Sequence, residues 1–198
     1  DAFCDTERAE AARRGVDPYV VMEELAATMP AGSNGLLGIF SNLMDAKHWV
    51  HASPSFLGFD VDDPSRTGRP ACIRAIEESA AYVALGHLRI IGELTGLDPD
   101  EVVFTGGGSK GRLWPQVVAD VLGRRVTVPQ VKESTALGAA FYAGIGVGIY
   151  QDVHQVTTAL CRSERTFEPD AATHDAYLEH YARWREVYPR QLELSETG

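Results

Sequence analysis

Val102-Val103-Phe104-Thr105-Gly106-Gly107-Gly108-Ser109-Lys110-Gly111 reads as a short buried strand that breaks into three glycines and reopens as a helix at Leu113-Trp114. That order aims backbone N–H groups and a helix N-terminus at one spot beyond the strand's carboxyl end. Unpaired donors and the positive end of the helix dipole stabilise an anion there. Bare backbone lets a phosphate or an adenosine lie close, and a turn with positive φ carries no Cβ penalty. A plain strand-to-helix turn would also use glycine. Three in a row followed by Gly111 favour a nucleotide phosphate site, with Gly106, Gly107, Gly108, Ser109, Lys110 and Gly111 as its candidate residues. The pattern is neither a P-loop nor the dinucleotide fingerprint. Lys110 is the one charged residue in the loop, placed either to meet a phosphate or ribose or to point to water.

Downstream, Trp114 to Gly123 is a short amphipathic helix closed by its terminal glycine, and Arg125-Val126-Thr127-Val128-Pro129 is a second short strand. Glu133 to Gly144 is a helix with small residues along one stripe: Ala136, Ala139, Ala140 and Ala143, with Gly138. Such a stripe admits a flat ligand such as adenine, or equally a tightly packed neighbouring backbone. Strand, glycine loop, helix, strand, helix is an α/β order, with the ligand crevice at the strands' carboxyl ends.

Gly-Gly-Gly-Ser-Lys-Gly-x-Leu-Trp at 106–114, Ala119-Asp120-Val121 and Glu133-Ser-Thr-Ala-Leu-Gly-Ala-Ala together resemble the C-terminal domain of the FGGY carbohydrate kinases. The resemblance runs over essentially all of 1–198. It implies the ribonuclease H-like fold of the actin-like ATPases, as the nucleotide-binding half of a two-domain enzyme lacking its first strands. It implies ATP and Mg²⁺, a small-molecule substrate and, as partner, the N-terminal domain of the same protein; a homodimer stays open. Residues 30–69 would be a loop-rich insertion and 169–194 a C-terminal helix. Asp1 to Asp5, Gly38 to Met44 and His51 to Phe56 are most similar to the branch acting on autoinducer-2. Residues 39–47 lack the Pro-Tyr-x-x-Gly-Glu-Arg-x-Pro-like stretch of pentulose and glycerol kinases. The family's general-base aspartate matches no motif here, so no catalytic residue is assigned. A pentulose kinase such as xylulokinase and a non-catalytic nucleotide-binding module remain the alternatives.

At 198 residues the chain can bury one real core, and 44% hydrophobic with 23% charged residues is ordinary for a globular protein. A net charge of −10 argues against nucleic acid as a partner. No apolar run reaches membrane-spanning length and no secretory pattern opens the chain, so a cytoplasmic location is expected. Cys4, Cys72 and Cys161 are odd in number and scattered, as reduced thiols would be. The start at Asp1, in mid-helix without a cap, is expected of a piece of a longer protein.

Asp17-Pro18 marks a helix start, with Asp as N-cap and Pro at the first position. Residues 30–35 form a turn cluster, Leu36 to Phe40 a short buried strand, and 41–69 mostly loop with one strand at Phe56 to Val61. Pro70 opens the longest helix, ended by Gly96; its apolar stripe is Ile73, Ile76, Ala80, Val83, Ala84, Leu88, Ile91 and Leu94. That helix would span about 38 Å. Tyr177, Tyr181, Trp184 and Tyr188 follow helical spacing and read as core rather than a stacking platform. His48 and His51 lack a third metal ligand, and Asp60, Asp62 and Asp63 read as a solvated turn.

Overall fold

The computed structural model describes residues 4–40, 43 and 52–196. Helix α1 (Asp5–Arg14) and helix α2 (Pro18–Ala26) form the first layer. As the sequence predicts, Asp17 accepts the Tyr19 N–H through its side chain (2.9 Å) and Pro18 opens α2. A 3₁₀ turn, Ser33–Gly35, leads into strand β1 (Leu37–Ile39), which pairs antiparallel with β2 (Ser55–Leu57). The expected strand at Phe56 to Val61 is thus earlier and shorter. It stops at Gly58, whose φ is +86°, and an ordered turn follows. There Asp60, half-buried, accepts the Asp63 and Asp62 N–H groups and pairs with Arg66 at 2.9 Å, so the acidic cluster is internally bonded, with Asp62 and Asp63 exposed.

Helix α3 (Arg69–Thr95) is the spine, and Gly96, at φ +71°, ends it by closing back on the Gly92 carbonyl. Its buried face follows the apolar stripe expected from the sequence only in part: Val83 is buried and Ala84 and Leu88 pack against the core. Ile76 and Ile91 are exposed and Leu94 is 81% exposed, while Ala71, Arg74, Ala75, Glu78, Tyr82 and Leu85 are buried. Two physical facts produce the difference. Small residues admit neighbouring backbone: a Cβ on Gly38 of β1 would lie 2.7 Å from the Ala75 carbonyl oxygen. The polar members satisfy one another, so their burial is tolerated. Arg74 bonds Glu78 (3.1 Å) and donates to the Tyr177 hydroxyl (2.6 Å), and Glu78 also accepts from the Gly32 N–H and the Ser33 hydroxyl.

Strand β3 (Glu101–Val103), helix α4 (Leu113–Leu122) and strand β4 (Arg125–Pro129) follow. Then come α5 (Ser134–Gly146), α6 (Val153–Leu160), strand β5 (Ser163–Phe167) and α7 (Ala171–Glu196). The second sheet runs β3-β4-β5, parallel between β3 and β4 and antiparallel between β4 and β5. The buried strand is the central β4, with Val126, Thr127 and Val128 all enclosed. β3, expected to be buried, is an edge strand among the described residues, and Val103 is 62% exposed. An edge strand has a neighbour on one side only, so its outward residues stay open.

The core lies where α3, α4 and α7 meet β1 and β4. Tyr177, Tyr181, Trp184 and Tyr188 of α7 are all buried in it, and Trp184 stacks on Tyr188 with centroids 4.8 Å apart. The Trp184 indole N–H donates to the Gly38 carbonyl at 3.1 Å, which gives its one polar atom a partner inside the core. Asp120 of α4 accepts from Gln116 (2.8 Å) and from the Asp170 N–H (2.9 Å), tying α4 to the entry of α7. Burial pushes the Asp120 carboxyl above its usual pKa, and these two bonds oppose the shift.

Candidate functional site

The glycine loop sits at the carboxyl end of β3. The ladder continues one residue past the strand, with the Phe104 N–H on the Thr127 carbonyl at 2.9 Å. Gly106 then turns away with φ +84°, ψ −167°, a conformation open in practice only to glycine, and its N–H reaches the Lys132 carbonyl (3.0 Å). Gly107–Lys110 form one 3₁₀ turn. Ser109 is fully buried, and both its N–H and its hydroxyl return to the Gly106 carbonyl (3.2 and 2.8 Å).

The glycines do different things. Gly107 is exposed, and a Cβ there would meet nothing within 4 Å. Gly108 has no such freedom, since a Cβ would lie 2.6 Å from the Trp114 ring, which packs edge-on to Phe104. A Cβ on Gly111 would strike the Glu23 carboxylate. Among the described residues the Gly107 and Gly108 N–H groups have no hydrogen-bond partner. Lys110 is exposed and its ammonium forms no ion pair among them. The loop therefore presents open N–H donors and one cation.

The start of α4 differs from the sequence expectation. Its first donors are not open to a ligand, because the Arg112 and Leu113 N–H groups both donate to Oε1 of Glu23 on α2. The protein's own carboxylate occupies the positive end of that helix dipole. On the other flank, the Arg165 guanidinium from β5 donates to the carbonyls of Ser109, Lys110 (3.2 Å) and Gly111 (2.6 Å). Sequence reasoning missed Glu23 and Arg165, and neither lies in a motif. The tightness of Gly111 is the one trace of Glu23 in the chain.

A second helix begins beside the loop. α5 starts two residues after Lys132, the residue that holds Gly106, and Glu133 at its N-cap makes no side-chain bond. Its small stripe is solvent-facing: Ala136, Ala139, Ala140 and Ala143 are exposed, and a Cβ on Gly138 would meet nothing. Tight packing against a neighbouring backbone is therefore absent there among the described residues. Only Phe141 and Gly144 of α5 are buried.

Other sequence candidates do not assemble. His48, His51, Asp1 to Phe3 and most of the 39–47 segment lie outside the described residues. Among the described residues no group of three His, Cys, Asp or Glu side chains gathers for a metal, and no helix is long and apolar enough to cross a membrane. Cys4, Cys72 and Cys161 are free thiols, and burial pushes the Cys72 pKa up.

A family model described as the FGGY family of carbohydrate kinases, C-terminal domain, matches residues 5–147. The chain is 43% identical over all 198 residues to proteins named autoinducer-2 kinase from Escherichia coli and Yersinia enterocolitica. It spans 37% of the length of these relatives. Among solved structures, xylulose kinase from Rhodospirillum rubrum superposes with a TM-score of 0.76 at 26% identity, covering 98% of this chain and 37% of that one. Gluconate kinase from Lactobacillus acidophilus shares the fold, with a TM-score of 0.71 at 20% identity over 91% of this chain and 36% of that one. The α/β arrangement is consistent with a ribonuclease H-like fold. The chain belongs to the FGGY family of carbohydrate kinases, of which it carries the C-terminal domain.

Proposed function

We propose that this chain is the nucleotide-binding part of an ATP-dependent kinase whose acceptor is the linear form of autoinducer-2, 4,5-dihydroxypentane-2,3-dione, phosphorylated on its terminal hydroxyl. The observation that carries the reading is the pair of open N–H groups at Gly107 and Gly108, set beyond the carboxyl end of β3 and beside the start of α5. The ATP phosphates lie against Gly106, Gly107, Gly108, Ser109, Lys110 and Gly111, with Lys110 supplying charge. Adenosine lies along the small, exposed face of α5. Mg²⁺ enters with the nucleotide, since the described residues gather no ligand cluster for it.

Phosphoryl transfer asks for positioning and charge stabilisation more than covalent chemistry from the protein. This chain supplies the positioning of the donor. The general base and the acceptor pocket belong to the rest of the protein, whose preceding strands complete the sheet at the open edge of β3. The 43% identity to autoinducer-2 kinases over the whole chain supports the acceptor.

The test uses the full-length protein. Calorimetry should show ATP binding, and a coupled ADP assay should show turnover with dihydroxypentanedione. The 198-residue chain alone should give no turnover. Absence of ATP binding to the full-length protein would refute the reading.

A further inference from the structure

We infer that Glu23 is a positioning residue for the nucleotide loop, acting as a fixed internal anion that holds the loop's exit so that Gly107 and Gly108 keep their N–H groups open. The inference rests on the reading of Gly106–Gly111 as the phosphate site. It begins from a contrast: α4 has an N-cap, Arg112, with no side-chain bond of its own, yet its first donors are satisfied. They are satisfied by a carboxylate from a helix 89 and 90 residues earlier in the chain, with one oxygen, Oε1, serving both the Arg112 and Leu113 N–H groups. Such charge-assisted bonds are short and directional, so they set the position of the backbone they hold.

Gly111 is shaped to this contact. Its backbone, at φ −74° and ψ −174°, is one that any L-residue adopts, so conformation alone does not require glycine there. What differs is space: a Cβ would meet the Glu23 carboxylate, the movable end of a long side chain, which would have to shift from its present place. On the loop's other flank, Arg165 holds the carbonyls of Ser109, Lys110 and Gly111. The exit is thus gripped through its N–H groups by an anion and through its carbonyls by a cation. Between Gly106, whose N–H is fastened to Lys132, and this clasp, the donors left over are those of Gly107 and Gly108. A phosphate that took the α4 terminus instead would have to displace Glu23, and its charge would be repelled by it.

Two variants break the clasp from opposite sides. Glu23→Ala removes the acceptor, and Gly111→Ala inserts a methyl where the carboxylate sits without straining φ. In the full-length enzyme Glu23→Ala should raise KM for ATP about tenfold with kcat within about twofold, because binding common to ground and transition states is lost, and Gly111→Ala should raise KM as well. Glu23→Gln keeps an amide oxygen for both N–H groups but loses the charge, and should fall between wild type and Glu23→Ala. The double variant Glu23→Ala/Gly111→Ala should be no worse than the poorer single one, since both act on one contact. Hydrogen exchange at residues 106–113 should quicken in both alanine variants even without nucleotide, which separates the clasp from the identity of the ligand. If the wild-type enzyme binds no ATP but exchange still quickens, the site reading fails and the clasp stands. An unchanged or lowered KM in Glu23→Ala would overturn the inference, the lowered value marking Glu23 as a competitor of the phosphate. Should Glu23→Ala fail to fold, Gly111→Ala carries the same test.

Discussion

Glu78 and Arg74 stand one turn apart on the buried face of α3, with Oε1 of the carboxylate 3.1 Å from Nε of the guanidinium, both nearly excluded from water. The Tyr177 hydroxyl of α7 closes the group, accepting from Arg74 and donating to Glu78 at 2.9 Å. The carboxylate thereby joins three elements: the 32–33 turn, the spine helix and the C-terminal helix.

Breaking this pair from one side should be severe. Arg74→Met would leave Glu78 buried without its cation, at a cost of about 3–5 kcal/mol in stability. Arg74→Lys, which keeps the charge but cannot reach both Glu78 and Tyr177 in one plane, should fall between Met and wild type. Denaturant titration of the full-length protein measures both. A loss below about 1 kcal/mol for Arg74→Met would mean that the pair is dispensable.

Glu77, the residue before Glu78, should make stability depend on pH. Burial, opposed by Arg74 and reinforced by Glu23 and Glu78, pushes its carboxyl up to about 7, and its Oε2 has no hydrogen-bond partner. A carboxyl with a folded pKa above its unfolded value of 4.5 favours the folded state fully below that unfolded value. The advantage is lost as pH rises through about 7. Glu77→Gln should therefore match wild type near pH 4.5 and exceed it at pH 8, by at most about 3 kcal/mol. Melting curves of both proteins at the two pH values decide it; a constant gap would remove Glu77 as the cause.

Gly107 and Gly108 should respond differently to the same substitution. Gly107→Ala adds a methyl into open space, so the melting temperature should hold while ATP affinity falls, as the added group meets the nucleotide. Gly108→Ala drives a methyl into the Trp114 ring and should lower stability by about 1–3 kcal/mol as well. Calorimetry and melting on the pair give the test. Unchanged ATP affinity in Gly107→Ala would take that residue out of the site.

Acceptor preference separates the branches of the family. Residues 39–47 lack the Gly-Glu-Arg pattern of the pentulose and glycerol kinases. A site built around hydroxyls discriminates strongly against a ligand that leaves its polar groups unpaired. The full-length enzyme should favour dihydroxypentanedione over xylulose, ribulose and glycerol in kcat/KM. A preference for xylulose would move the assignment to the pentulose branch and leave the kinase reading intact.

Much of the local structure was legible because it is set by neighbours in sequence. Asp17 and Pro18 announce α2, Gly96 and Gly123 close α3 and α4 in the left-handed region, and the aromatic spacing of α7 marks a core face. Apart from the strand at Ser55–Leu57, which a local turn at Gly58 cuts short, the misreadings involve partners distant in the chain. On α3 the apolar spacing points Ile76, Ile91 and Leu94 inward, yet these are exposed and Arg74 and Glu78 are inside, because Tyr177 and the Gly32 N–H offset their desolvation from 103 and 46 residues away. β3 looks as apolar as β4, but burial follows sheet position rather than composition, and among the described residues only β4 has strands on both sides. The glycine loop was visible as a donor-rich turn. The occupant of the α4 terminus was not, since a single glutamate on another helix carries no local signature.

The buried aromatic face of Tyr177, Tyr181, Trp184 and Tyr188 bears on the order of events during synthesis. Tyr82 of α3, like the chain from β1 to α4, emerges from the ribosome well before the aromatic rings that enclose it, and Trp184 reaches back 146 residues to the Gly38 carbonyl. Until α7 arrives, α3 and α4 present an apolar groove to solvent. Contacts of such long sequence separation are slow to form, and surfaces that await them are prone to association. A nascent chain stalled before Tyr177 should therefore be a chaperone client, whereas release past Tyr188 lets the groove close within one molecule.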